Sequence, residues 1–145
     1  MTVFNKVLMA VLLAAILVTL GLIIYLQVTP PPSDRFTEFY LLNGDGKAAD
    51  YPVEVHAGTP VTVTLGLINR EGQTASYNIN LVWNGVTIQS ARVPALTQDQ
   101  KWEGKTSFTL SAPGDNQTVE FYLFMNNGDK PHIKYPLLLR VNVIK

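Results

Sequence analysis

A run of about twenty apolar residues from Val7 to Leu26 (VLMAVLLAAILVTLGLIIYL), with no charge inside it, constrains this chain more than any other feature. That length of α-helix matches a hydrocarbon core of roughly 30 Å. The run is longer than the apolar stretch of a cleaved signal peptide, and its distal end, Ile24-Tyr25-Leu26-Gln27-Val28, puts bulky residues where a cleavage site needs small ones. The expectation is therefore a retained signal-anchor in the lipid bilayer. Val7, Leu12, Leu17, Gly21 and Tyr25 mark its length. Tyr25 suits an interfacial aromatic, and Gly21 with Ala10, Ala14 and Ala15 would let a second helix approach closely. Lys6 and the amino terminus on the short side favour a cytoplasmic N-terminus, which makes the remainder extracytoplasmic.

These features divide the chain into a short cytoplasmic terminus (1–6), a transmembrane helix (7–28), a Pro-rich linker (29–35) and one folded domain (36–145). Pro30-Pro31-Pro32 favours polyproline II, so the linker reads as a short, semi-rigid spacer.

Composition removes several classes of function. Lys+Arg and Asp+Glu both number 11, and the basic residues are scattered, which argues against nucleic acid as a partner. Cysteine is absent, so no disulfide, thiolate metal site or Cys nucleophile is available.

From Phe36 onward, β-rich segments alternate with turn signals every eight to twelve residues or so, the pattern of an all-β sandwich. Strands are expected at Phe36–Leu42, Val53–His56 (a short edge), Pro60–Asn69, Ala75–Trp83, Val86–Val93, Lys105–Leu110, Gln117–Met125 and Ile133–Ile144. Asn84-Gly85 is the strongest hairpin turn. Period-two alternation points Val61, Val63, Leu65 and Leu67 inward, as it does Tyr77, Ile79, Leu81 and Trp83. The same rule buries Thr106, Phe108 and Leu110, then Val119, Phe121, Leu123 and Met125, and finally Tyr135, Leu137, Leu139, Val141 and Val143. Roughly seven or eight such strands fit an immunoglobulin-like β-sandwich preceded by a single N-terminal transmembrane helix.

The strings Phe36-Thr37-Glu38-Phe39-Tyr40-Leu41-Leu42, Gly46-Lys47-Ala48, Asp50-Tyr51-Pro52 and Gly66-Leu67-Ile68-Asn69-Arg70-Glu71, with Tyr77, carry a resemblance. In them the chain resembles the prokaryotic membrane-protein family known as domain of unknown function 1616. The resemblance implies a membrane-tethered β-sandwich and no established activity. Many members of that family carry several spans before the domain, whereas this chain has one.

No catalytic residue is assigned. His56 and His132 are the only histidines, and neither has a nucleophile or metal-ligand spacing beside it. No G-x-S-x-G, H-E-x-x-H or phosphate-loop motif occurs. Asn43-Gly44-Asp45-Gly46 with Asp50 resembles a calcium loop faintly, but it lacks that loop's spacing and closing Glu, and turn chemistry accounts for it. Asn116-Gln117-Thr118 is a sequon read as a surface loop. Neither metal nor cofactor is expected.

Three aromatics are nominated for partner contact. Tyr122 and Phe124 fall on the nominally outward face of their strand beside Glu120, and Trp102 lies in a polar stretch ahead of the next expected strand. The expected function is non-enzymatic: protein–protein contact with other membrane proteins, as an accessory subunit of a larger complex. The second reading is a cell-surface binding module for a small ligand or glycan.

Overall fold

The computed structural model describes residues 2–29 and 34–145. It separates into two compact units, Met1–Asp34 and Arg35–Lys145. Residues 30–33 of the expected linker lie outside the described residues.

Helix α1 spans Val3–Val28, starting ahead of the apolar run. Thr2 caps it, its hydroxyl accepting from the Asn5 amide at 3.4 Å. No residue of α1 is buried, and its apolar side chains point out all round. A helix without a polar stripe has no face to show to water, which is the condition of a membrane span. Thr19, in the middle of the apolar run, donates its hydroxyl to the Ala15 carbonyl at 2.8 Å and so adds no unsatisfied polar group there. The helix is long and apolar enough to cross a membrane.

The second unit is a two-layer sandwich of eight strands: β1 (Phe36–Leu42), β2 (Glu54–His56), β3 (Pro60–Arg70), β4 (Ala75–Trp83), β5 (Val86–Leu96), β6 (Lys101–Thr109), β7 (Gly114–Met125) and β8 (Leu137–Ile144). One sheet runs β1-β3-β6 and the other β2-β8-β7-β4-β5. Every pairing is antiparallel except β2 on β8. Asn84 and Gly85, both at positive φ (52° and 75°), form the tight β4–β5 turn that the dipeptide predicts. The chain changes sheets between β5 and β6, through a turn in which the Gln100 amide donates to the Thr97 carbonyl at 3.1 Å.

The core is the set that alternation selects. Val63, Leu65, Leu67, Ile79, Leu81, Leu110, Val119 and Phe121 are all fully excluded from solvent. Phe108 of β6 meets Phe121 of β7 edge to face at 6.2 Å, joining the two layers at their centre.

Three expectations are corrected. The last strand begins at Leu137, not Ile133, and Tyr135 is 72% exposed instead of buried, because Pro136 has no amide to donate to a ladder. The sixth strand begins at Lys101, so Trp102 sits within a strand and not ahead of one. The Asn116 sequon lies inside β7, where Asp115 and Asn116 together oppose Asn142 alone. Asn116 takes φ 49° in that bulge, and its amide donates to Asn142 Oδ1 at 2.8 Å.

Gly66 has a specific task on the outer face of the small sheet. The Tyr40 ring lies flat over it, so an added Cβ would fall 2.1 Å from the ring carbons. Lying there, Tyr40 reaches across β3 and its hydroxyl donates to Glu103 Oε1 at 2.8 Å. Gly66→Ala is expected to expel the ring and lower stability by about 1 kcal/mol in chemical denaturation. In a Tyr40→Ala background the same change should be neutral or stabilising, since the backbone-entropy cost of a strand glycine is then relieved.

Candidate functional site

Residues of two of the strings that carry the family resemblance, 36–42 and 66–71, meet with Tyr77 at one corner of the sandwich. β1 and β3 are in continuous register from Phe36↔Arg70 to Leu42↔Thr64, which sets Thr37 opposite Asn69. Glu71, just past β3, is 6% exposed. Its Oε1 accepts from Thr37 Oγ1 at 2.6 Å and from His132 Nε2 at 2.6 Å, and Thr37 Oγ1 is 3.0 Å from the Tyr77 hydroxyl. Burial pushes the Glu71 carboxyl up, but the Thr37 and His132 hydrogen bonds and the nearby Arg35 charge outweigh it and hold the group below its usual range. Burial raises the Tyr77 phenol.

Asn69 and Arg70 complete the corner. Asn69, wholly buried, donates through Nδ2 to the Gln73 and Leu96 carbonyls at 2.7 Å each, and its Oδ1 accepts the Glu71 amide. Arg70 bridges Glu38 at 2.5 Å and Asp99 at 2.9 Å. These hydrogen bonds tie β1, β3, β4 and the segment before β8 together. His132, to which the sequence assigned no role, is a partner of this buried carboxylate.

Asn43 settles the turn that resembles a calcium loop. Its Oδ1 accepts the Asp45 and Lys47 amides, both at 2.9 Å, and Nδ2 donates to the Ala49 carbonyl at 2.6 Å. The Asn43 side chain thus organises this turn by holding three backbone groups.

Of the three nominated aromatics, the structure brings Tyr122 and Phe124 together and sets Trp102 apart. Trp102 is on the inner face of β6, opposite Leu67, its ring covering Gly104 and partly buried against the core. Tyr122 and Phe124 are half-buried on the outer face of the large sheet. The Tyr122 hydroxyl donates to Glu120, and that hydrogen bond raises the phenol above its usual range. Phe124 lines a groove of 750 Å³ over β4, β5 and β7, walled by Pro94 and Ala95 on one side and the Asn127-Gly128 turn on the other.

A second opening lies at the side of the sandwich. β1 is an edge strand, paired with β3 alone, and β2 covers β8 only from Asn142 to Ile144. Between these two edges is a cleft of 670 Å³ lined by Phe39, Leu41, Tyr51, Leu137 and Leu139. Tyr51 donates its hydroxyl to the Leu41 carbonyl at 2.8 Å and so occupies one acceptor of the β1 edge.

A family model described as a domain of unknown function (DUF1616) matches residues 30–138, which takes in every one of these features up to the first residues of β8. The chain belongs to the DUF1616 family. No curated protein sequence matches this DUF1616 chain. Its fold is similar to the CARDB domain of the PF1109 protein from Pyrococcus furiosus, solved in complex with di-metal ions: TM-score 0.52 and 13% identity, over 77% of this chain and 96% of that one. It is also similar to a chain of the complex between zinc 2-glycoprotein and prolactin inducible protein from human seminal plasma, with TM-score 0.50 and 9% identity over 79% and 100% of the two chains. At such identities the likeness is one of fold, an immunoglobulin-like sandwich. Among the described residues of the DUF1616 chain no three His, Cys, Asp or Glu side chains cluster to hold a metal.

Proposed function

We propose that this protein is a non-enzymatic, single-span membrane protein that presents its immunoglobulin-like domain outside the cytoplasm for contact with other membrane proteins, as an accessory subunit of a complex. The observation that carries the reading is the β1 edge. Its seven residues, FTEFYLL, contain no Lys, no Pro and no bulge, three devices that blunt a free edge, and its one charge, Glu38, is paired with Arg70. Beside that edge lies the apolar cleft, and Phe36 and Leu138 are about half exposed, at 46% and 51%. An extended segment of a partner satisfies both features at once, its backbone pairing with β1 and alternate side chains entering the cleft. The α1 helix supports the setting, since an all-apolar surface also offers itself to neighbouring spans.

A photo-reactive amino acid at Phe36, introduced in the full-length chain in native membranes, is expected to cross-link to a membrane protein. Migration of the extracted chain as a lone monomer, with no adduct, refutes the reading. Topology is tested with a single cysteine at exposed Ser111, clean because the chain has none of its own. An impermeant maleimide should label it in intact cells, and labelling confined to permeabilised cells reverses the orientation.

A further inference from the structure

We propose that the groove over β4, β5 and β7 is a binding site for an acidic saccharide, with Phe124 as its platform and Arg92 as its carboxylate anchor. The register assembles it in rows across three strands. Arg92, Asn78 and Phe124 stand side by side in one row, and Ser90, Asn80 and Tyr122 in the next. The floor thus alternates an aromatic ring with amides and a hydroxyl, and ends on a cation at the exposed strand β5.

The groups left free in this lattice define the ligand. Asn80 Oδ1 accepts from both Asn78 Nδ2 at 3.0 Å and Ser90 Oγ at 2.8 Å. These bonds fix the two amides and leave the Asn80 Nδ2 donors and the Asn78 Oδ1 acceptor with no hydrogen-bond partner among the described residues. Asn127, held at φ 57° on the turn that walls the groove, adds another amide. Arg92 is exposed and has no carboxylate within ion-pair distance among the described residues, whereas Arg70 on the other sheet has two.

A sugar matches this set closely. Its hydroxyls both donate and accept, as the amides do, and its C–H face suits the Phe124 ring. The fork of Arg92 selects a carboxylate on that sugar. Other ligands fit less well: a lipid tail would strand the amides, and a polyphosphate would want more than one cation. The volume of 750 Å³ lies within the roughly 300–1,000 Å³ of small-ligand sites and takes a short oligosaccharide. No residue of the β1 edge lines the groove, so the proposal stands apart from the protein-contact reading.

The test uses the full-length ¹⁵N-labelled chain in detergent micelles, titrated separately with trigalacturonate, neutral maltotriose and triglutamate. Trigalacturonate is expected to shift the amide signals of Asn78, Phe124 and Asn127, and to bind about tenfold more tightly than maltotriose. Arg92→Gln should erase that preference, and Phe124→Ala should weaken both sugars. Shifts that are absent, or that fall outside the groove, overturn the proposal. Equal binding of acidic and neutral sugars, unchanged in Arg92→Gln, overturns the carboxylate assignment. Triglutamate binding the groove as well as trigalacturonate overturns the saccharide and makes the groove a peptide site.

Discussion

Replacing Glu71 with alanine is expected to destabilise the domain by about 3 kcal/mol, which lowers its melting temperature by on the order of 10 °C. The loss comes from what stays behind. Thr37 and His132 each lose an acceptor at 2.6 Å, and the side chain that fills the corner is gone. Glu71→Gln keeps the shape and most of the hydrogen bonds but removes the charge, so its cost is smaller and depends on pH. Because the folded carboxyl titrates below its ordinary range, its stabilisation is complete above the unfolded value of about 4.3. It disappears as pH falls through the lower folded value. The stability gap between the wild type and Glu71→Gln, measured by urea unfolding, should therefore be flat from neutral pH to about 5 and close below about pH 4. A gap that stays constant through the acid range would show that the charge on Glu71 contributes nothing to the corner.

That corner was beyond reach of the sequence for a physical reason. Thr37 and Glu71 are 34 residues apart, and His132 is 61 from Glu71, so no local pattern announces that the three meet. Only the resemblance strings pointed there, and the structure gives them an architectural meaning: Thr37 holds Glu71, Glu38 holds Arg70, and Tyr40 needs Gly66. Inner faces were legible because a strand exposes its parity in every second residue, as β3, β4 and β7 do. The failures occurred where parity is cut. Pro136 lay in plain view, and reading it as a strand breaker would have placed Tyr135 outside the core. Lys101–Lys105 alternates polar with Trp and Gly, so its inner face looked like loop until Trp102 was found covering Gly104. The groove needed the pairing register itself. Asn78 and Arg92 are unremarkable along the chain and become neighbours of Phe124 only when β4 is set between β5 and β7.

Phe121→Ala should be the most damaging single truncation, costing about 4 kcal/mol. Phe121 is wholly buried in β7 and meets Phe108 of the opposite sheet. Its removal opens a cavity between two layers that paired β-ladders keep from closing over it. Three residues on in the same strand, Phe124→Ala should cost much less, about 1 kcal/mol, because that ring lies on the outer face and is only partly buried. Parallel urea denaturation of the two variants decides the matter. Similar large losses would mean that the groove floor belongs to the core, and that any loss of binding in Phe124→Ala reports unfolding. A wide separation makes Phe124 a residue the fold does not need. A large aromatic kept partly exposed between Asn78 and the Asn127 turn, at no benefit to stability, then requires a reason outside the fold, and a bound ligand supplies one.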